Sequence, residues 1–221
     1  MSERFEEDSG TTALLVVDLQ PDFMPGGPLP VQEGDRIVEP VKSLVLSGRF
    51  SLIVATQDWH PPEHISFARN HQGKRPFDAI DLYGRPQILW PDHCLQGSAG
   101  AAFHRDLPLN RMAAIIRKGM DPACDSYSAF RNNWDARGQR VPTGLAGYLH
   151  ERGVRSVYIC GLARDFCVKW SAEDAVDSGL RAKVLWDLTR PVDVASDDQV
   201  RQNLLARGVE IIHSEDLKCS T

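Results

Sequence analysis

Short apolar runs alternate with stretches in which apolar residues recur every three or four positions along almost the whole of the 221-residue chain. Residues 14–18 read as a buried strand, and residues 35–46 as a helix carrying Ile37, Val38, Val41, Leu44 and Val45 on one face. Residues 52–56 form the next strand, and Ile115 and Ile116 mark a third. Residues 143–152 predict a helix closed by Gly153, a residue type suited to the left-handed position just past a helix end. Residues 157–160 give a fourth strand, 166–178 an amphipathic helix stopped by Gly179, and 183–186 a fifth strand. Ser196 and Gln199 have capping-box spacing for a last helix, which Gly208 closes before residues 209–212. Strands alternating with helices build βαβ units. The expected class is therefore α/β: a single-domain open parallel β-sheet with helices on both faces, three αβα layers, spanning 1–221. Residues 1–11 are expected to be a flexible tail. The stretch from about 57 to 110 fits no element, and a structureless loop of that size is usually functional.

Asp18, Lys118 and Cys167 follow three of the apolar runs, at 13–17, 113–116 and 156–160. In an open parallel sheet the carboxyl ends of the strands line one crevice, where ligands bind. A carboxylate, an ammonium and a thiol delivered there supply a base, a cation to stabilise a thiolate, and a nucleophile, which points to a cysteine hydrolase. The segment Gly161-Leu-Ala-Arg-Asp-Phe-Cys167 runs off a strand, turns at a glycine and enters a helix. The thiol is thereby expected near a helix N-terminus, where the partial positive charge lowers its pKa and free N–H groups offer an oxyanion hole. Each residue also has a plainer reading: a buried helix-start cysteine, a turn aspartate, a solvated strand-end lysine. Cys160 ends a buried strand and reads as core, while Cys124 and Cys219 lack a telling context.

The long central stretch concentrates the histidines. In an extended segment, residues two apart share a side, so Asp58 and His60 can face one ion, and the prolines at 61 and 62 turn Glu63 or His64 back towards it. His93, beside Cys94, offers a further ligand, with Cys94 itself as a soft alternative or a packing residue. Imidazoles with a carboxylate suit Zn²⁺, or Fe²⁺ and Mn²⁺ with water in the remaining positions. Composition narrows the partners. A content of 42% apolar and 25% charged residues argues against disorder. A formal charge of −5 gives no basic footprint for nucleic acid, and no apolar stretch approaches a membrane span. Five cysteines without paired spacing suit a reducing compartment, and with the acidic N-terminus this reads as cytoplasmic. The composition is compatible with a monomer or a homo-oligomer.

Taken together, several segments resemble the nicotinamidases of the isochorismatase-like cysteine hydrolase superfamily, over roughly residues 12–214. They are Val17-Asp-Leu-Gln-Pro-Asp-Phe23 with Gly26-Gly27, Asp58-Trp-His60, Trp90-Pro-Asp-His-Cys94, Arg117-Lys-Gly119, Asp125-Ser-Tyr-Ser-Ala-Phe130 and Gly161–Cys167. The resemblance implies a triad of Asp18, Lys118 and Cys167, and an oxyanion hole from the N–H groups of Ala163 and Cys167. It implies a cis peptide between Leu162 and Ala163, and metal ligation by Asp58, His60 and His93, with His64 or a water-bridged Glu63 as the variable neighbour. It also implies a pyridine pocket lined by Phe23, Trp90 and Tyr127. The implied activity is deamidation of nicotinamide to nicotinic acid and ammonia through a thioester, a step of NAD salvage, with pyrazinamide also accepted and one divalent ion, first of all Zn²⁺, as cofactor. Arg164 departs from the small or hydroxyl residue common at its position, facing either solvent or the pocket rim. The competing readings are a related amidohydrolase acting on another amide or ureido compound, and a non-catalytic zinc or redox module.

Overall fold

The computed structural model describes residues 11–217. Residues 1–10 of the expected tail, and Cys219, lie outside these, and Thr11 already belongs to a strand. The described elements run β1 (Thr11–Val17), α1 (Val38–Leu46), β2 (Leu52–Asp58), β3 (Ala79–Leu82), β4 (Arg85–Ile88), β5 (Ala114–Lys118), α2 (Leu145–Glu151), β6 (Val154–Leu162), α3 (Lys169–Asp177), β7 (Arg181–Arg190), α4 (Asp197–Ala206) and β8 (Glu210–Ile212). Six strands make a parallel sheet in the order β5-β2-β1-β6-β7-β8, and β3 and β4 form a separate antiparallel hairpin. None of the helices among the described residues is long and apolar enough to cross a membrane.

β1 lies inside the sheet and is buried from Ala13 onwards, as a strand covered on both faces must be. Its side chains alternate between two cores. Leu14 and Val16 share one with Val41, Leu44 and Val45 of α1. Ala13, Leu15 and Val17 share the other with Leu145 and Leu149 of α2, Ala172 and Ala175 of α3, and Val200 and Leu204 of α4. The expected three layers are thus present, with one helix on one face and three on the other. The strand order departs in opposite directions from β1 and β6, and the crevice at that switch point is where an open parallel sheet binds ligands. The two strands close tightly there. Gly161 has φ +112°, and a Cβ on it would stand 2.0 Å from the Val17 carbonyl oxygen, so the approach admits only glycine.

Several boundaries differ from the sequence pattern. Residues 34–37 form a tight 3₁₀ turn, and α1 proper starts at Val38. The helix expected from 143 starts at Leu145, because Thr143 is drawn off to donate from its Oγ1 to the Ala129 carbonyl. The Ser196–Gln199 capping box does not form. Ser196 does precede α4 but makes no side-chain cap bond; its Oγ donates back to the Asp193 carbonyl. Asp193 Oδ1 accepts from the Ala195 N–H at 3.0 Å to cap the 3₁₀ turn at 194–196 that leads into the helix. The long central stretch contains the β3–β4 hairpin, turned by Tyr83 and Gly84 with φ of 56° and 79°, the signs of a type I′ turn. β7 bulges: between Val184 and Thr189 it advances five residues while β6 advances two.

Candidate active site

Asp18 leaves β1 in a left-handed conformation, φ 46°. That is uncommon for a residue with a Cβ, and the surrounding bonds hold it there. Thr56 of β2 accepts from the Asp18 N–H at 3.1 Å and donates from its Oγ1 to Asp18 Oδ1 at 2.6 Å. Lys118 ends β5 and is 1% exposed, which overturns the reading of a solvated strand-end lysine. Its Nζ pairs with Asp18 Oδ2 at 2.8 Å, donates to Asp58 Oδ1 and to the Ser126 carbonyl, and lies 3.4 Å from Cys167 Sγ. Asp18 Oδ2 accepts no hydrogen bond beyond that ion pair, which leaves it open to a proton from the thiol.

Cys167 sits in a π-helical turn, Arg164–Val168, and the α-helix begins only at Lys169. The peptide between Leu162 and Ala163 is cis. The expectation of a thiol acidified by a helix N-terminus does not hold: burial pushes the Cys167 thiol well above its ordinary range, with Lys118 opposing. Burial likewise raises the Asp18 carboxyl against the pull of Lys118. Burial alone would lower Lys118, but Asp18 and Asp58 outweigh it and hold the ammonium well above the usual lysine range. Burial thus favours the thiol form of Cys167, the two carboxylates favour the ammonium of Lys118, and the Asp18 carboxyl is more basic than usual, a set suited to moving a proton during attack.

Asp58, at the end of β2, divides its carboxylate. One oxygen faces Lys118, and the other lies 3.3 Å from His60 Nε2 and 3.7 Å from His93 Nε2. The opposite ring nitrogens face carbonyls: His60 Nδ1 is 2.9 Å from the Gly119 oxygen and His93 Nδ1 is 2.8 Å from that of Pro91. A carbonyl only accepts, so each Nδ1 carries the hydrogen and each Nε2 turns a lone pair to the centre. A carboxylate oxygen and two lone pairs converge with no donor among them, which is the donor set of a divalent cation. Burial works against a proton on His60, but Asp58 draws one and raises its pKa, so the centre attracts positive charge in either form. Burial also opposes ionisation of Asp58, yet Lys118 and the two histidines hold its carboxyl well below the ordinary range. The backbone leaves little room here. A Cβ at Gly119, φ +68°, would lie 2.2 Å from the His60 ring.

The structure does not bring His64 or Glu63 into this group. The His64 ring packs against that of His60, tilted, at 4.2 Å between centroids, but its Nδ1 bonds Ser66 Oγ at 2.7 Å and its Nε2 faces the Cys124 carbonyl at 3.2 Å. Burial lowers its pKa to about 4, and Glu63 is exposed. Cys94 is buried outside the cluster, its N–H donating to Asp22 Oδ2, so packing is its role. Phe23, Trp90 and Tyr127 do line one pocket with Asp58, His60, His93, Ala163 and Cys167. Trp90 packs edge-on against Phe166 at 4.8 Å and donates from Nε1 to the Tyr127 hydroxyl.

Sequence reasoning missed the supporting residues. Gln20 is fully buried and holds Asp58 from both sides: its Oε1 accepts from the Asp58 N–H, and its Nε2 donates to the Asp58 carbonyl. The chain turns between Asp18 and Gln20, Asp18 being left-handed and the Gln20 N–H donating to the Asp18 carbonyl at 2.9 Å, so the strand period gave no signal for it. Asp125 and Ser126 also line the pocket.

An isochorismatase domain model matches residues 12–216. A nicotinamidase of Acinetobacter baylyi is 46% identical over 98% of this chain and 99% of its own. The solved structure of a nicotinamidase/pyrazinamidase from Acinetobacter baumanii is 46% identical, covers 96% of this chain and all of the other, and superposes with a TM-score of 0.89. A pyrazinamidase of Pyrococcus horikoshii, solved in complex with zinc, is 37% identical over 91% of this chain and 98% of its own, with a TM-score of 0.74.

Proposed function

The chain belongs to the isochorismatase family, and from that membership we propose that it hydrolyses nicotinamide to nicotinic acid and ammonia, with Cys167 as nucleophile and pyrazinamide as a second substrate. The observation that carries the reading is Asp58, whose two oxygens join the Asp18–Lys118–Cys167 cluster to the Asp58–His60–His93 centre in one pocket. Asp18 takes the Cys167 proton as Sγ attacks the carboxamide carbon. Lys118, 3.4 Å from Sγ, stabilises the developing anion, and the N–H groups of Ala163 and Cys167 receive the carbonyl oxygen's charge. Asp18 passes its proton to the amine as ammonia leaves. It then takes a proton from water as the water oxygen attacks the thioester, and returns that proton to Cys167 Sγ as the C–S bond breaks, which releases the acid and restores the thiol. Phe23, Trp90 and Tyr127 hold the ring between apolar walls. Asp58, His60 and His93 would hold a divalent ion, first of all Zn²⁺, which when bound would supply a fixed positive charge on that side of the pocket. Orientation of this kind is worth roughly 7–11 kcal/mol when it brings reacting atoms to near-attack distance.

A non-catalytic zinc module needs a closed set of four ligands and has no use for a buried lysine between two aspartates. At the Asp58–His60–His93 centre three ligand atoms converge, one short of such a set. The direct test is ammonia release from nicotinamide before and after chelation and after adding back Zn²⁺, Fe²⁺ or Mn²⁺. Release that falls and returns supports the reading. No release from metal-loaded protein moves the substrate to another amide.

His60→Ala is expected to cut bound metal at least tenfold, measured by elemental analysis, and to raise KM. Wild-type metal content in that variant would remove His60 from the ligand set.

A further inference from the structure

Arg164 opens the nucleophile turn, directly after Ala163 and three residues before Cys167. It faces neither solvent nor the pocket: it is 5% exposed and does not line the cavity. Its guanidinium runs to the bulge of β7 and the start of α4. Nε donates to Thr189 Oγ1 at 2.8 Å, and one terminal nitrogen donates to the carbonyls of Trp186 at 2.9 Å and Thr189 at 2.7 Å. The other pairs with Asp197 Oδ2 at 2.5 Å, and the plane stacks 3.9 Å from the Trp186 ring. Trp186 lies within the bulge, between the paired Val184 and Thr189, and the planar fork of an arginine meets the Trp186 and Thr189 carbonyls and a carboxylate at once. Asp165 ties the same turn to the same segment, its two oxygens accepting from the N–H groups of Val192 and Asp193. Val192 lines the pocket.

Two consecutive charged residues thus bind the turn carrying Ala163 and Cys167 to the segment that carries a pocket wall. We propose that Arg164 is a positioning residue, which fixes Ala163 and Cys167 relative to Lys118 by anchoring their turn on the β7 bulge and Asp197. It touches no substrate atom and acts through the turn. An error of about 1 Å at a reacting atom is enough to cost on the order of a hundredfold, so loosening this anchor shows in the chemical step before it shows in binding. The inference rests on the proposed amidase reading for its kinetic arm alone.

The test compares wild type with Arg164→Lys, which keeps the charge and loses the fork, and Asp197→Asn, which keeps the shape and weakens the ion pair. Both are assayed on metal-loaded protein at a temperature where circular dichroism shows each folded. The expected result for Arg164→Lys is a kcat for ammonia release at least tenfold lower, with KM within about twofold, and a smaller loss in the same parameter for Asp197→Asn. The losses should be less than additive in the double variant, because both act on one anchor. A second readout needs no substrate: the rate of Cys167 alkylation by iodoacetamide at one fixed pH, followed by intact mass, should change at least fivefold in Arg164→Lys. If wild type releases no ammonia from nicotinamide, the amidase reading fails and the alkylation result still decides the anchor. Unchanged kcat and unchanged alkylation beside a lowered melting temperature make Arg164 a purely structural residue and overturn the proposal. A raised KM with intact kcat overturns it as well, since that places the effect on the pocket wall.

Discussion

Cys167→Ala is expected to lower kcat for ammonia release by about 10⁴-fold or more, the scale on which loss of a covalent nucleophile acts, while metal content and nicotinate binding stay at wild-type levels. The side chain is buried, and its thiol contacts Lys118 and not the two histidine ligands, so its removal leaves the metal centre's own bonds in place. The measurement is single-turnover release together with mass spectrometry of acid-quenched enzyme, in which the wild type carries an acyl adduct and the variant none. Release within tenfold of wild type would mean that water attacks the amide directly, and the thioester would have to be abandoned.

Lys118→Met is expected to be nearly as damaging to turnover and, unlike the first variant, to the fold. Methionine keeps much of the length and removes the charge, so Asp18 and Asp58 would face each other in the interior with no cation between them. Breaking a buried pair in this way costs about 3–5 kcal/mol, because the remaining charge is left uncompensated. The deficit should narrow on acidification. Burial already raises the Asp18 pKa against Lys118, and without the ammonium it rises further. The folded variant then binds more protons than the unfolded chain, and its stability falls as pH rises. Urea unfolding at several pH values measures this. Adding Asp18→Asn should restore part of the stability and none of the activity, which separates the electrostatic cost from the catalytic one. Equal stability of Lys118→Met and wild type across the pH range would show that the ion pairs contribute nothing net.

Asp18 was legible because a buried parallel strand such as β1 is a nearly continuous apolar run, and a polar residue just past its carboxyl end has only the crevice to enter. Lys118 ends β5, an edge strand whose residues are alternately exposed, so its short apolar run marked the strand but not the burial of the lysine. Cys167 lies past the end of β6, and the glycine turn after that strand was its signal. Asp58 and His60 were legible from the two-residue period of extended backbone. What the pattern did not carry was the contest between local and tertiary bonds. Ser196 holds the cap position of α4 but its hydroxyl is taken by the Asp193 carbonyl, and that of Thr143 by the Ala129 carbonyl. The β3–β4 hairpin escaped because its strands are four residues each and mostly unburied, so they show no apolar run, although Tyr83-Gly84 is a usable turn signal. The pKa of Cys167 went the wrong way because a helix terminus shows in a chain and depth of burial does not. The double use of Asp58 and the inward course of Arg164 depend on which strands lie side by side, and only the sheet order supplies that.

Gly119 has a consequence for how tolerance to substitution is interpreted in this chain. It contributes only its carbonyl, yet any side chain there runs into the His60 ring. In a scan of all single substitutions, position 119 should appear as intolerant as the histidine it shields. The losses should sort by bound metal rather than by expressed protein, with Gly119→Ala keeping its melting transition and failing to retain the ion. Positions ranked by lost activity alone would group this glycine with groups that do chemistry, when what it provides is empty space beside one of them.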